Sequence, residues 1–119
     1  MERIRFITHE GKRILDVDMA RCSAAEVEQV ARALPDYVTK EPVASVRMLV
    51  DFTGASFDAE ALRTMRETAI FDKPYIKKTA WIGTESLPQA HIDEMSKYSR
   101  REFPLFRDRD GALEWLVRD

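Results

Sequence analysis

The chain is 119 residues long, the length of one ordinary domain, and its apolar share can build a core without disulfide or metal staples. A formal net charge of -2 lacks the basic excess of a dedicated nucleic-acid binder and argues against that class. Cys22 is the sole cysteine, so no intramolecular disulfide can form and a reducing compartment is expected.

Alternation opens the chain: Ile4, Phe6 and Thr8 face one way, Arg3, Arg5 and Ile7 the other. The first residues, Met1 to Phe6, lack the apolar run of a signal peptide, and no stretch approaches the roughly 18 apolar residues of a spanning helix. A cytoplasmic location is expected on these grounds. His9-Glu10-Gly11-Lys12 makes a turn and Arg13 to Val17 alternates again, which predicts a β-hairpin bent at Gly11.

Ser23-Ala24-Ala25-Glu26 has the form of a capping box, followed by Val27, Val30, Ala31 and Leu34 at helical spacing. Pro35 either ends that helix or starts a further turn carrying Tyr37 and Val38. Val46 to Phe52 is a near-continuous apolar run, as in a strand covered on both faces. Thr53-Gly54-Ala55-Ser56 is its loop, and Asp58 caps a helix with an expected buried stripe of Ala61, Leu62, Met65, Ala69 and Ile70. Asp72-Lys73-Pro74 stops it. A second buried strand, Thr79 to Gly83, leads to a capping arrangement at Ser86-Leu87-Pro88-Gln89 and a helix expected to carry Ile92, Met95 and Tyr98 inward. A short strand, Phe103 to Phe106, precedes a last helix starting at Asp110, with Ala112, Leu113, Leu116 and Val117 at apolar spacing.

The order β-β-α-β-α-β-α-β-α predicts one α/β domain over residues 1–119. Its five-stranded sheet is mostly parallel, with an N-terminal antiparallel hairpin and four helices. This layout resembles the STAS domain superfamily, and more closely its SpoIIAA-like branch, near the CRAL-TRIO lipid-transfer domains. Three segments carry the likeness: Met48 to Phe57 (apolar strand, Asp, small-residue loop, aromatic), Lys78 to Gly83 (strand with terminal glycine), and Phe106 to Leu116 (strand, acidic turn, A-x-x-W-L helix). STAS anti-sigma antagonists carry a phosphorylatable serine at the start of the second helix. Here Asp58, Ala59, Glu60 and Ala61 stand in those positions, so the kinase-controlled switch does not carry over.

The chemistry-bearing residues give little to an enzyme. His9 and His91 lie in no triad, metal spacing or phosphate loop, and no metal or cofactor is expected. Cys22 precedes a capped helix, where the dipole can lower a thiol pKa, although a half-buried apolar role explains it better. An anion site is expected at the strand-to-helix loops of Thr53, Gly54 and Ser56 and of Gly83, Thr84 and Ser86, which lie beyond the carboxyl ends of the strands. The same residue types serve any tight turn. Lys73, Lys77 and Lys78 precede one strand and Arg100 and Arg101 another. If those strand starts are neighbours, they form one patch facing an anionic lipid or an acidic protein, or simply a solvated face. Phe57, Leu62, Met65, Ile70 and Phe71 are candidates for an interface or an apolar pocket, because residues 70 and 71 cannot both face one core.

The expectation is therefore a non-catalytic binding or regulatory domain, homodimeric through its second helix or a sheet edge, with a protein partner or a small apolar or anionic ligand. The alternative, implied by the CRAL-TRIO likeness, is a small-molecule or lipid carrier with peripheral membrane contact. It needs an apolar cavity under the second helix, with Leu62, Met65, Phe71 and Trp81 among its walls.

Overall fold

Glu10 and Gly11 both take positive φ, 50° and 79°, and the two-residue turn they form sets the first strand pair. Residues 1–118 are described by the computed structural model. In it β1 (Ile4–His9) and β2 (Lys12–Asp18) are antiparallel, with His9 opposite Lys12. The other strands, β3 (Val46–Asp51), β4 (Ile76–Ile82) and β5 (Leu105–Phe106), join in parallel to give the order β1-β2-β3-β4-β5. The fold class is as expected: α/β, five strands, one antiparallel edge pair and four helices.

Three helices cover one face of the sheet: α1 (Ala24–Val38), α2 (Ala59–Asp72) and α3 (Gln89–Ser99). The order of the strands explains this, since successive right-handed crossovers moving in one direction place their helices on one side. Val17, Val30, Met48, Phe52 and Trp81 are among the residues that close that core. The opposite face holds a smaller core of Ile14, Leu49, Ala80 and Ile82 under α4 (Arg109–Val117). Strands β3 and β4 are thus buried from both sides, the reason their sequences read as continuous apolar runs.

The capping box forms as read: Ser23 Oγ accepts from the Glu26 amide at 3.2 Å and Glu26 Oε1 from the Ser23 amide at 3.0 Å. Asp58 caps α2 by accepting from Ala61 N at 2.8 Å. Helix α1 continues through Pro35 to Val38, and the Pro35 carbonyl accepts from Thr39 N at 3.0 Å.

Other details differ from expectation. Strand β4 begins at Ile76, three residues early, and β5 keeps two residues of the expected four, its ladder being one edge pairing with β4. Asp108, not Asp110, caps α4, through Gly111 N at 2.8 Å. Helix α3 has no side-chain cap: Pro88 precedes it, and the Ser86 hydroxyl instead donates to the Ala55 carbonyl at 2.8 Å. Its inward side is His91, Ile92, Met95 and Ser99, while Tyr98 is 60% exposed. On α2 the inward positions are Ala61, Thr64, Met65, Ala69 and Asp72; Leu62 is half-buried and Ile70 points outward.

Candidate functional site

The carboxyl ends of β2 and β3 open on a polar crevice of about 550 Å³, lined by Asp16, Asp18, Asp51, Arg3, Arg21 and Arg109 among others. The Thr53 loop lies beside it. Thr53 donates both its amide (2.9 Å) and its hydroxyl (2.6 Å) to Asp51 Oδ1. The amides of Ala55 and Ser56 are likewise engaged, by the carbonyls of Phe52 and Cys22, both at 2.9 Å. Gly54 holds a φ of 68° and packs on Arg21.

Gly83 takes a φ of 66° and lies against Thr53, so closely that a Cβ there would come within 2.8 Å of the Thr53 Cα. Thr84, Glu85 and Ser86 form a short helical turn ahead of α3. The structure therefore brings Thr53, Gly54 and Ser56 together with Gly83, Thr84 and Ser86. Their close packing has a local cause, the meeting of two small-residue loops. Two of their hydroxyls are turned toward the protein, Ser86 to the Ala55 carbonyl and Thr53 to Asp51. Glu2, Asp16, Asp18 and Asp51 on this crevice are matched by Arg3, Arg5, Arg21 and Arg109, so its walls carry no net charge to favour an anion.

The opposite, amino end of the sheet is chemically different. Strands β4 and β5 are neighbours, and Lys73, Lys77, Lys78 and Arg101 do come together on one groove, while Arg100 closes α3 and is not on its walls. The groove measures about 330 Å³, with Glu102, Pro104 and Trp115 also on its walls. The side chains separate into two sets. Lys78 folds back, donating to the carbonyls of Trp115 (2.9 Å) and Arg118 (2.6 Å) and lying 4.6 Å from the Trp115 ring. Arg101 turns inward, donating to the Ala69 carbonyl at 2.9 Å and to Thr79 Oγ1 at 2.6 Å. Lys73, Lys77 and Arg100 stay exposed, as do Lys40 after α1 and Lys97 in the last turn of α3.

Four of the exposed large apolar residues share this end, Met1 and Leu105 being the others among the described residues. Ile70 and Phe71, at the close of α2, are 49% and 56% exposed. Tyr98 is at the close of α3, which the Arg101 contact with Ala69 brings beside the end of α2. Val43, 72% exposed, is in the loop whose next residue donates its amide to the Pro74 carbonyl at 2.8 Å. Phe57 and Met65 are elsewhere: Phe57 is half-buried with its ring centroid 5.8 Å from that of Phe52, and Met65 is in the core. Val43 was not visible as a candidate from its sequence, where one valine in a polar loop carries no signal.

Behind the basic groove, Asp72 is buried and its Oδ1 has no hydrogen-bond partner. Burial pushes its carboxyl up to about 7, against the lowering pull of Arg101. Arg101 is itself pushed down to about 10 by burial, with Asp72 pulling the other way. Asp72 closes α2, as its sequence predicts, and it also continues the inward row Ala61, Met65, Ala69 at helical spacing, the signal by which its burial can be found. Elsewhere, burial raises the Cys22 thiol, which fits the apolar role favoured for it over dipole activation, and burial lowers His91. His91 is on the inward side of α3 with its Nε2 unpartnered. No group of three or more His, Cys, Asp or Glu suited to a metal ion stands among the described residues.

No family model matches the chain, and no curated protein matches it. Among solved structures it is similar to the crystal structure of an uncharacterised protein of the DUF3478 family from Shewanella loihica PV-4, described as having a SpoIIAA-like fold. The TM-score is 0.73 at 19% identity, over 96% of this chain and 92% of that one. The fold is thus SpoIIAA-like, as the order and spacing of the sequence implied. At that identity the likeness concerns the fold.

Proposed function

We propose that this is a non-catalytic binding domain that docks on an anionic membrane surface through the amino end of its sheet. One observation carries the reading. Four exposed large apolar residues, Val43, Ile70, Phe71 and Tyr98, share an end with the exposed cations Lys40, Lys73, Lys77, Lys97 and Arg100.

Each basic residue near an anionic surface contributes about 1 kcal/mol before screening, so the set supplies a sub-millimolar affinity by charge alone. Inserted Phe71 and Ile70 add to this in proportion to the apolar area removed from water. Among the described residues no helix is long and apolar enough to cross a membrane, so this contact is made from one end of the domain. Asp36 and Glu102 are exposed acids at this end, and Glu67 and Glu94 lie about one turn back on α2 and α3, Glu94 paired with Arg66; together they weaken the field. A second copy meeting this face about a twofold axis sets like charges against each other, which favours lipid over a homodimer here.

The carrier reading has less support. The cavity under α2 measures about 40 Å³, and its walls include Met65 and Trp81 but neither Leu62 nor Phe71. That holds one or two waters rather than an acyl chain.

Co-sedimentation with vesicles tests the reading. The protein is expected to pellet with phosphatidylcholine–phosphatidylglycerol vesicles, to stay in solution with phosphatidylcholine alone, and to be released by salt. Equal binding to both, or none, overturns it. So does light scattering that shows a dimer dissociated by Phe71→Ser, which makes the face a protein interface.

A further inference from the structure

Arg101 is the partition between two spaces. On its outer side runs the basic groove, with Lys73 on the wall; on its inner side is the cavity that reaches Asp72. Arg101 and Thr79 line both. The guanidinium is held in place by Ala69 and Thr79 and lies 4.9 Å from the centre of the Phe103 ring. Asp72 is 2% exposed, and its Oδ1 is an acceptor without a donor. A buried carboxylate with an empty lone pair is costly to ionise.

We propose that the groove between Lys73 and Arg101 binds a phosphate-bearing anion, and that its binding is coupled to uptake of a proton from solvent by Asp72. The inference rests on the docking reading and names what regulates it. While Asp72 is ionised, part of the Arg101 field is cancelled from behind. Once Asp72 is protonated, nothing on the cavity side offsets the guanidinium, and its field acts undiminished on the groove whose wall it forms while its N–H groups stay on Ala69 and Thr79. An anion in the groove in turn disfavours the second negative charge at Asp72, and the two effects are equal by linkage.

The cavity walls contributed by α1, β3, β4 and α3 are Ala31, Leu34, Met48, Thr79, Trp81 and Met95 and their apolar neighbours. Arg101 is the one other titratable group on the cavity. The groove side adds Lys73, Lys77, Lys78 and Glu102. The coupling therefore runs through a single side chain. The carboxyl's midpoint of about 7 puts the response in the neutral range.

The test follows the Asp72 carboxyl by carbon NMR across pH in the whole protein: alone, with vesicles of equal parts phosphatidylcholine and phosphatidylglycerol, and with dimethyl phosphate. Vesicle binding is measured in parallel. The midpoint is expected to rise by about half a unit with the anionic vesicles, and wild-type binding to strengthen about 2.5-fold from about pH 8 to about pH 6. Asp72→Asn is expected to bind alike at both, and Arg101→Gln to abolish the midpoint shift. A shift with dimethyl phosphate but not with vesicles supports the anion site and assigns it to a soluble phosphate ester. No shift with either probe overturns the proposal, whether or not the variants fold. Vesicle binding that is pH-independent, with an unmoved Asp72, overturns the coupling and leaves the docking reading standing.

Discussion

Arg109 clamps Asp16 with both terminal nitrogens, at 3.2 and 2.8 Å, joining the first turn of α4 to the second strand across 93 residues of sequence. Asp16 is buried, and the guanidinium is partly open to solvent. Bidentate geometry and one buried partner set this pair apart from the surface ion pairs of α1 and α2. Arg109→Ala strands a buried carboxylate, with the exposed Arg5 at 3.7 Å left near it. The expected loss is about 1–3 kcal/mol in urea unfolding, while Arg63→Ala, which removes exposed pairs on α2, changes stability by less than about 0.5 kcal/mol.

Gly83 is required for two reasons, its left-handed backbone and the backbone of Thr53 lying against it. Gly83→Ala is expected to cost more than about 2 kcal/mol, because strain and a clash with main chain add. Gly11→Ala meets only the first of these, since nothing is within 4 Å of its Cβ position, and is expected to cost about 1 kcal/mol. Equal losses in denaturant titrations of the two variants contradict the close approach.

Asp72 gives the stability a pH dependence of definite sign. Its folded-state midpoint of about 7 is above the ordinary 3.8, so the folded state holds a proton that the unfolded chain has released. Its contribution is fully present below the unfolded value and is lost as pH rises through about 7. Asp72→Asn is expected to be more stable than wild type at about pH 8, by an amount on the order of a few kcal/mol that shrinks toward about pH 4. Thermal unfolding across that range checks it; a difference that is constant with pH contradicts it.

Cys22 is buried and its thiol is raised by burial, so little thiolate forms and little is reachable. An aromatic disulfide reagent is expected to react with the native protein only at the rate of opening, and rapidly in denaturant. Fast labelling of the native state contradicts this.

The fold was legible because its signals are local. Ser23 and Glu26 lie three residues apart and can be recognised as a box without neighbours, and the doubly covered β3 shows itself as an apolar run. What was not legible depends on partners distant in sequence. Ser86 looks like a helix cap until Ala55 takes its hydroxyl, and Tyr98 sits at core spacing but beyond the edge of the core. The site divides the same way. The grouping of lysines and arginines at strand starts could be anticipated. That Lys78 and Arg101 turn away from solvent, while Lys73 does not, depends on carbonyls from α4 and α2 that sequence spacing does not reveal.

Amide NMR of the labelled protein with anionic vesicles tests the docking reading most directly, because it reports place as well as binding. Signals of Lys40, Val43, Ile70, Phe71, Lys73, Lys97 and Arg100 are expected to broaden first, with those of Asp18, Asp51 and Thr53 at the other end unaffected. Broadening that begins at the carboxyl-end crevice, or a spectrum unchanged by the vesicles, contradicts it.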